Sequence, residues 1–200
     1  MNEEKGEPNR TLYNNWRIVF HSIPGFEQCV CLHRVRRPDR IGDMDFLLIN
    51  AGNEPKLGLV ECEGFDKSVP SGVEQLLNYL AGFIPFQGDG KSILKESIQD
   101  AFNLEKKNNE RGKGNLKIWS SEKEFMHAAG ANSENDFINI LDNTSFRLVP
   151  ILLYYRTTPL TTKEEEVLSL AFARHRLYAG AVQWPDANKI LDGRYLSEDH

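Results

Sequence analysis

Three carboxylates, Asp45, Glu61 and Glu63, sit in two short apolar runs that read as neighbouring strands, Asp45–Asn50 (DFLLIN) and Leu57–Glu63 (LGLVECE). Side chains alternate along a strand, so Glu61 and Glu63 share one face and Cys62 takes the other. The link between the runs, AGNEPK, is short and turn-rich, which predicts an antiparallel hairpin. Such a hairpin sets Asp45, near the start of one strand, beside the Glu pair at the end of the next. Converging carboxylates repel one another unless a cation neutralises them, and hard oxygen ligands suit Mg²⁺ or Mn²⁺. A metal held there would polarise a phosphoryl oxygen, make hydroxide from bound water and stabilise a leaving oxygen, as phosphodiester hydrolysis requires. A carboxylate not fully engaged by the metal would take the proton of the attacking water.

Acids at strand ends are ordinary surface residues when taken alone. The next segment, Pro70–Phe83 (PSGVEQLLNYLAGF), adds weight to these. Val73, Leu76, Leu77 and Leu80 form the apolar stripe of a helix, and Ser71 with Glu74 reads as its capping box. Gln75 and Tyr79 are four apart, hence on one helical face, and both are polar residues in an otherwise apolar helix. Either they face a substrate rather than the core, or they mark a helix edge with a snorkelling Tyr.

Together these stretches, IGDMDFLLIN over 41–50, LGLVECEG over 57–64 and GVEQLLNYL over 72–80, resemble the PD-(D/E)xK nuclease superfamily, and within it RecB-type and NucS-like nuclease domains. That pattern runs Gly-x-x-Asp, then (Asp/Glu)-x-Lys, then Gln-x-x-x-Tyr. Gly42 and Asp45 match the first element, Glu61 the acid of the second, and Gln75 and Tyr79 the third, in the same order. The resemblance spans roughly residues 11–180, with its specific motifs within 42–79, and implies a restriction-endonuclease-like core and metal-dependent cleavage of nucleic acid, DNA favoured over RNA. Asp45 and Glu61 would hold the metal, Gln75 would orient substrate, water or a carboxylate, and Tyr79 would support that face. Glu63 departs from the pattern by standing where the family has Lys. Three consequences stay open: Glu63 is a further metal ligand or general base; a neighbouring cation, Lys67, replaces the missing Lys; or catalysis is lost and the fold serves as a binding module for nucleic acid or a protein.

The flanking elements needed to position these residues are legible as an α/β pattern, a central mixed sheet flanked by helices. A helix is expected over 11–20, a strand over Gln28–Val35, helices over Ser92–Leu104, Ser121–Ala129 and Asn135–Leu141, and a short strand over Leu116–Ser120. Arg147–Arg156 (RLVPILLYYR) is the most apolar strand candidate. Thr161 or Thr162 caps a helix over Lys163–Ala173, whose basic end is Arg174–Arg176. Residues 1–10 and 185–200 read as polar tails around one domain, 11–184.

The 200-residue chain has a net charge of −5, with 40% apolar and 26% charged residues, a globular composition that argues against a generally basic nucleic-acid coat. Two basic segments stand out against it. Arg34, Arg36, Arg37 and Arg40 lie in one, and Lys106 and Lys107 begin the other, which also holds Arg111, Lys113 and Lys117. Either is a solvated surface or a phosphate-holding surface that positions without specifying sequence. No apolar run approaches the ~20 residues of a membrane span. The polar start and only three cysteines point to a reduced cytoplasmic setting, and a homodimer is left open. Cys29, Cys31 and His33 lack the paired spacing of a zinc site, and Gly88–Ser92 lacks the first glycine of a phosphate-binding loop.

Overall fold

A computed structural model of the chain describes residues 11–36, 43–64, 69–83 and 122–196, with a few positions between 92 and 103. Its centre is a six-stranded mixed sheet whose strands lie side by side in chain order. They are β1 (Val30–Arg36), β2 (Asp43–Asn50), β3 (Lys56–Glu63), β4 (Arg147–Arg156), β5 (Leu177–Gln183) and β6 (Ile190–Leu196). The described helices are α1 (Trp16–Phe20), α2 (Val69–Phe83), α3 (Glu122–Ala128), α4 (Glu134–Asn143) and α5 (Thr162–Ala171). The architecture is thus an α/β fold with a central mixed sheet flanked by helices. Among the described residues no helix is long and apolar enough to cross a membrane.

The hairpin expected from the AGNEPK link is present, with β2 antiparallel to β3 and Leu47 opposite Leu59. β1 adds a second antiparallel partner to β2. β3, β4 and β5 run parallel, and β6 returns antiparallel to β5. Parallel strands need crossovers, and α2 and α5 lie within the two that flank β4. α2 touches β3, β4 and α5, so the two helices cover one face of the sheet together. On the other face Phe20 of α1 meets Phe46 edge-on, with ring centroids 5.2 Å apart, and Tyr13 meets His33. Both faces of β3 and β4 are therefore dry, which is why these strands read as near-continuous apolar runs.

Local chemistry sets several boundaries. Thr161 caps α5 through a complete capping box with Glu164. Gly130, at φ +75, makes the turn between α3 and α4 that an L side chain resists. Three expectations need correction. α2 begins at Val69, so Ser71 lies inside the helix rather than at its cap; Pro70 fits the first turn, where its missing N–H has no intrahelical partner. α5 stops at Ala171, and Arg176 is not a helix end but stacks on Tyr195, 5.3 Å from the ring centroid. The segment 185–200 is not simply a tail, since it holds edge strand β6, with Tyr178 facing Tyr195 across the β5–β6 pair. The expected strand over Leu116–Ser120 falls outside the described residues, as does most of Ser92–Leu104.

Candidate active site

Hairpin register places Asp45 and Glu61 together. Backbone pairing of β2 with β3 ends at Phe46↔Val60, and the next positions along the two strands are Asp45 and Glu61. Beyond that point the Asp45 carboxylate takes over from the backbone: Oδ2 accepts the Cys62 N–H at 2.9 Å. Asp45 thus bridges the strands at the point where they part.

Glu61 lies one residue away and is 2% exposed. Tyr79 of α2 reaches it across the helix–sheet interface, its O–H donating to Glu61 Oε2 at 2.9 Å. Gln75 Nε2, one turn earlier, donates to the Tyr79 oxygen at 3.0 Å. The Asp43 carbonyl stands 3.2 Å from the same hydroxyl as a weaker acceptor. Gln75, Tyr79 and Glu61 therefore form one relay, with spacing i, i+4 on the helix and a strand carboxylate at its end. Burial, then the negative charge of Glu61, pushes the Tyr79 pKa upward, so near neutral pH the group is a fixed proton donor and not a base. Tyr79→Phe removes a hydrogen bond to a buried charge. It is expected to cost about 1.5–3 kcal/mol, read as a lower urea midpoint at unchanged slope.

Glu63 follows on the same face and is fully buried. Among the described residues Glu61 and Glu63 are the buried charged side chains. Charged carboxylates are rarely withdrawn from water to this degree, and two on alternate residues of one strand add mutual repulsion. α2 makes room for Glu63 by carrying no side chain at Gly72. A Cβ there would come 2.9 Å from Glu63 Cγ, 3.1 Å from Leu152 Cδ1 and 3.2 Å from Tyr154 Oη. Gly72→Ala would gain about 1 kcal/mol of helix propensity. Overpacking at this contact costs about 1–3 kcal/mol, so a net loss of stability is expected in chemical denaturation.

All three acids act on the Cys62 thiol. Cys62 lies between Glu61 and Glu63 in the chain, and its thiol pKa is pushed well up, first by burial and then by Asp45, Glu61 and, more weakly, Glu63. The thiol is accordingly protonated and unreactive. Cys29 is also buried, its pKa pushed up to about 12. Among the described residues no group of three or more His, Cys, Asp or Glu side chains lies close enough to share an ion. The donor chemistry of Asp45 and Glu61, hard oxygens in a partly dry setting, nonetheless matches a hard divalent cation.

Next to the acids, β1 has a kink. Its pairing with β2 runs from Val30↔Ile49 to His33↔Phe46, passes over Arg34 and resumes at Val35↔Met44. Arg34, the residue passed over, has φ +54 and is exposed, and by count it faces Asp45. Residues with side chains seldom hold that backbone region, and such strain concentrates at working sites. Lys67, Arg37, Arg40, Lys106, Lys107 and the side chain of Arg36 lie outside the described residues.

Sequence reasoning missed Tyr154, Arg156 and Glu164. Arg156 pairs with Glu164 at the end of the acidic face. The signal was available in RLVPILLYYR, where alternation puts residues 152, 154 and 156 on one face. A separate cleft of about 390 Å³ near α3 and α4, lined by Lys123, His127, Ser133 and Glu134 among others, shares no residue with this face. Comparison with protein-family models, with curated proteins and with solved structures finds no match for the chain.

Proposed function

We propose that this chain is a divalent-metal-dependent nuclease of the PD-(D/E)xK type, hydrolysing phosphodiester bonds in nucleic acid, DNA rather than RNA. The observation that carries this reading is the meeting of Asp45 and Glu61 where β2 and β3 part, with Glu61 tied to Gln75 and Tyr79 of α2. These four residues come from three elements and match positions of the three ordered motifs, with Glu63 standing where the second has Lys. A fold that merely carried scattered acids would have no reason to bury Glu61 and supply it with a dedicated donor relay.

Asp45 and Glu61 would hold Mg²⁺ or Mn²⁺, with Glu63 a further ligand or a base. Such a metal supplies Lewis-acid polarisation of the phosphoryl oxygen and a lowered pKa for water. The chain's own residues do the rest. Tyr79 fixes one Glu61 oxygen and thereby the direction in which the other faces. Gln75 donates to the Tyr79 oxygen, which leaves the Tyr79 O–H directed at Glu61. The basic segments around Arg34–Arg40 and Lys106–Lys107 would bear on backbone phosphates without reading bases.

The test is incubation of purified protein with labelled single- and double-stranded DNA and RNA in Mg²⁺, Mn²⁺ or EDTA. Cleavage of DNA in metal and none in EDTA is the expected result. Tight nucleic-acid binding with no cleavage in either metal would replace this reading with a catalytically silent binding module, the outcome that Glu63 in place of Lys allows.

A further inference from the structure

The strand beside the acidic row carries a cation. β4 pairs in parallel with β3, Glu61 against Leu152 and Glu63 against Tyr154, so Leu152, Tyr154 and Arg156 continue the Glu61–Glu63 face. β3 ends at Glu63, whereas β4 runs two residues past Tyr154, which sets Arg156 just beyond the last acid.

Its guanidinium is held on two sides. It lies over the Tyr154 ring, 5.6 Å from the centroid, and its Nη2 pairs with Glu164 Oε1 from the first turn of α5. Glu164 is itself fixed, because Oε2 accepts from the Thr161 N–H and Oγ1–H at 2.8 Å each. The capping box of α5 therefore also positions Arg156. Tyr154 links the cation to the acids, since its hydroxyl lies against the Gly72 position next to Glu63 Cγ.

One donor of Arg156 is left over. Nε is shut off from solvent and has no hydrogen-bond partner among the described residues, while the side chain as a whole is 23% exposed. A shielded N–H without an acceptor is costly, and the part of the guanidinium that reaches solvent is what a phosphate can meet. The planar guanidinium fork matches the two non-bridging oxygens of a phosphodiester.

We propose that Arg156 is a phosphate-binding residue, held by Glu164 and the Tyr154 ring so that its guanidinium takes one backbone phosphate at the end of the acidic row. It supplies positive charge on the face where Glu63 replaces Lys. This rests on the reading of the acidic face as a nucleic-acid site.

The experiment measures binding of a short fluorescent DNA duplex in EDTA, where cleavage is off, over a series of salt concentrations. Arg156→Gln is expected to weaken binding on the order of tenfold and to lower the slope of log K against log salt by about one, the signature of one lost phosphate contact. Arg156→Lys is expected to keep the slope and lose affinity. Glu164→Gln removes the neutralising carboxylate and is expected to tighten binding, which keeps the inference testable if Arg156→Gln does not fold. An unchanged slope in folded Arg156→Gln, or unchanged or weaker binding in Glu164→Gln, overturns it. Wild-type protein that cleaves while the Arg156→Gln slope is unchanged removes only this inference. Protein that binds with the predicted slopes but never cleaves removes only the catalytic reading, and protein that does not bind DNA removes both.

Discussion

Asp45→Asn combined with Glu61→Gln is expected to lower metal-dependent DNA cleavage by roughly 10²–10⁴-fold while leaving the fold as stable as before or more so. Both substitutions are near-isosteric. Asparagine at 45 keeps an oxygen to accept the Cys62 N–H, and glutamine at 61 keeps one for the Tyr79 O–H. What they remove is negative charge, in one case from a side chain 2% exposed. A charge held out of water at a cost to folding is a charge kept for chemistry, so activity and stability should move in opposite directions. Paired cleavage assays and thermal melts on wild type and double variant check this. A melting temperature that falls sharply with undiminished cleavage would make the pair structural.

Stability is expected to fall by about 3 kcal/mol as the pH is lowered from 6.5 to 4, through His33. The ring of His33 sits on β1 between Tyr13, 4.8 Å away edge-on, and Phe46, 5.1 Å away. Burial, and then the positive charge of Arg34 beside it, pushes its pKa from 6.5 down to about 4. The unfolded chain therefore takes up a proton first as the solution is acidified. The stabilisation is fully present above pH 6.5, declines below it and is gone near pH 4. Glu27 and Glu164, whose pKa values are lowered from 4.5, lose their contributions only below that value, so the upper part of the window belongs to His33. Urea titrations across the range should show the decline, and His33→Phe, which keeps an aromatic ring against Phe46, should flatten it. A midpoint that is level between pH 6.5 and 4.5 in wild type would contradict the assignment.

How much of this was legible in the chain depended on how each element meets solvent. The β2–β3 hairpin, α2, β4 and the Thr161 cap of α5 are strongly patterned, because buried strands read as apolar runs and caps need particular side chains. β5 (LYAGAVQ) is built largely from small residues and β6 (ILDGRYL) is a half-solvated edge strand, so neither produces an apolar run long enough to be recognised. Asp45, Glu61, Gln75 and Tyr79 were legible because strand alternation and helical spacing are local rules. Arg156 was not, because its place beside Glu63 depends on the parallel register of two strands more than 80 residues apart in the chain. Likewise the fit of Gly72 over Glu63 and Tyr154 follows only from how closely α2 lies on the sheet.

In the proposed function Asp45 and Glu61 hold a divalent cation. Calorimetric titration of Mn²⁺ into wild type and into the Asp45→Asn, Glu61→Gln double variant, without nucleic acid, tests it directly. Wild type is expected to bind Mn²⁺ saturably, and the double variant to lose that binding while remaining folded. Equal binding by both proteins, or no binding by either, would contradict it.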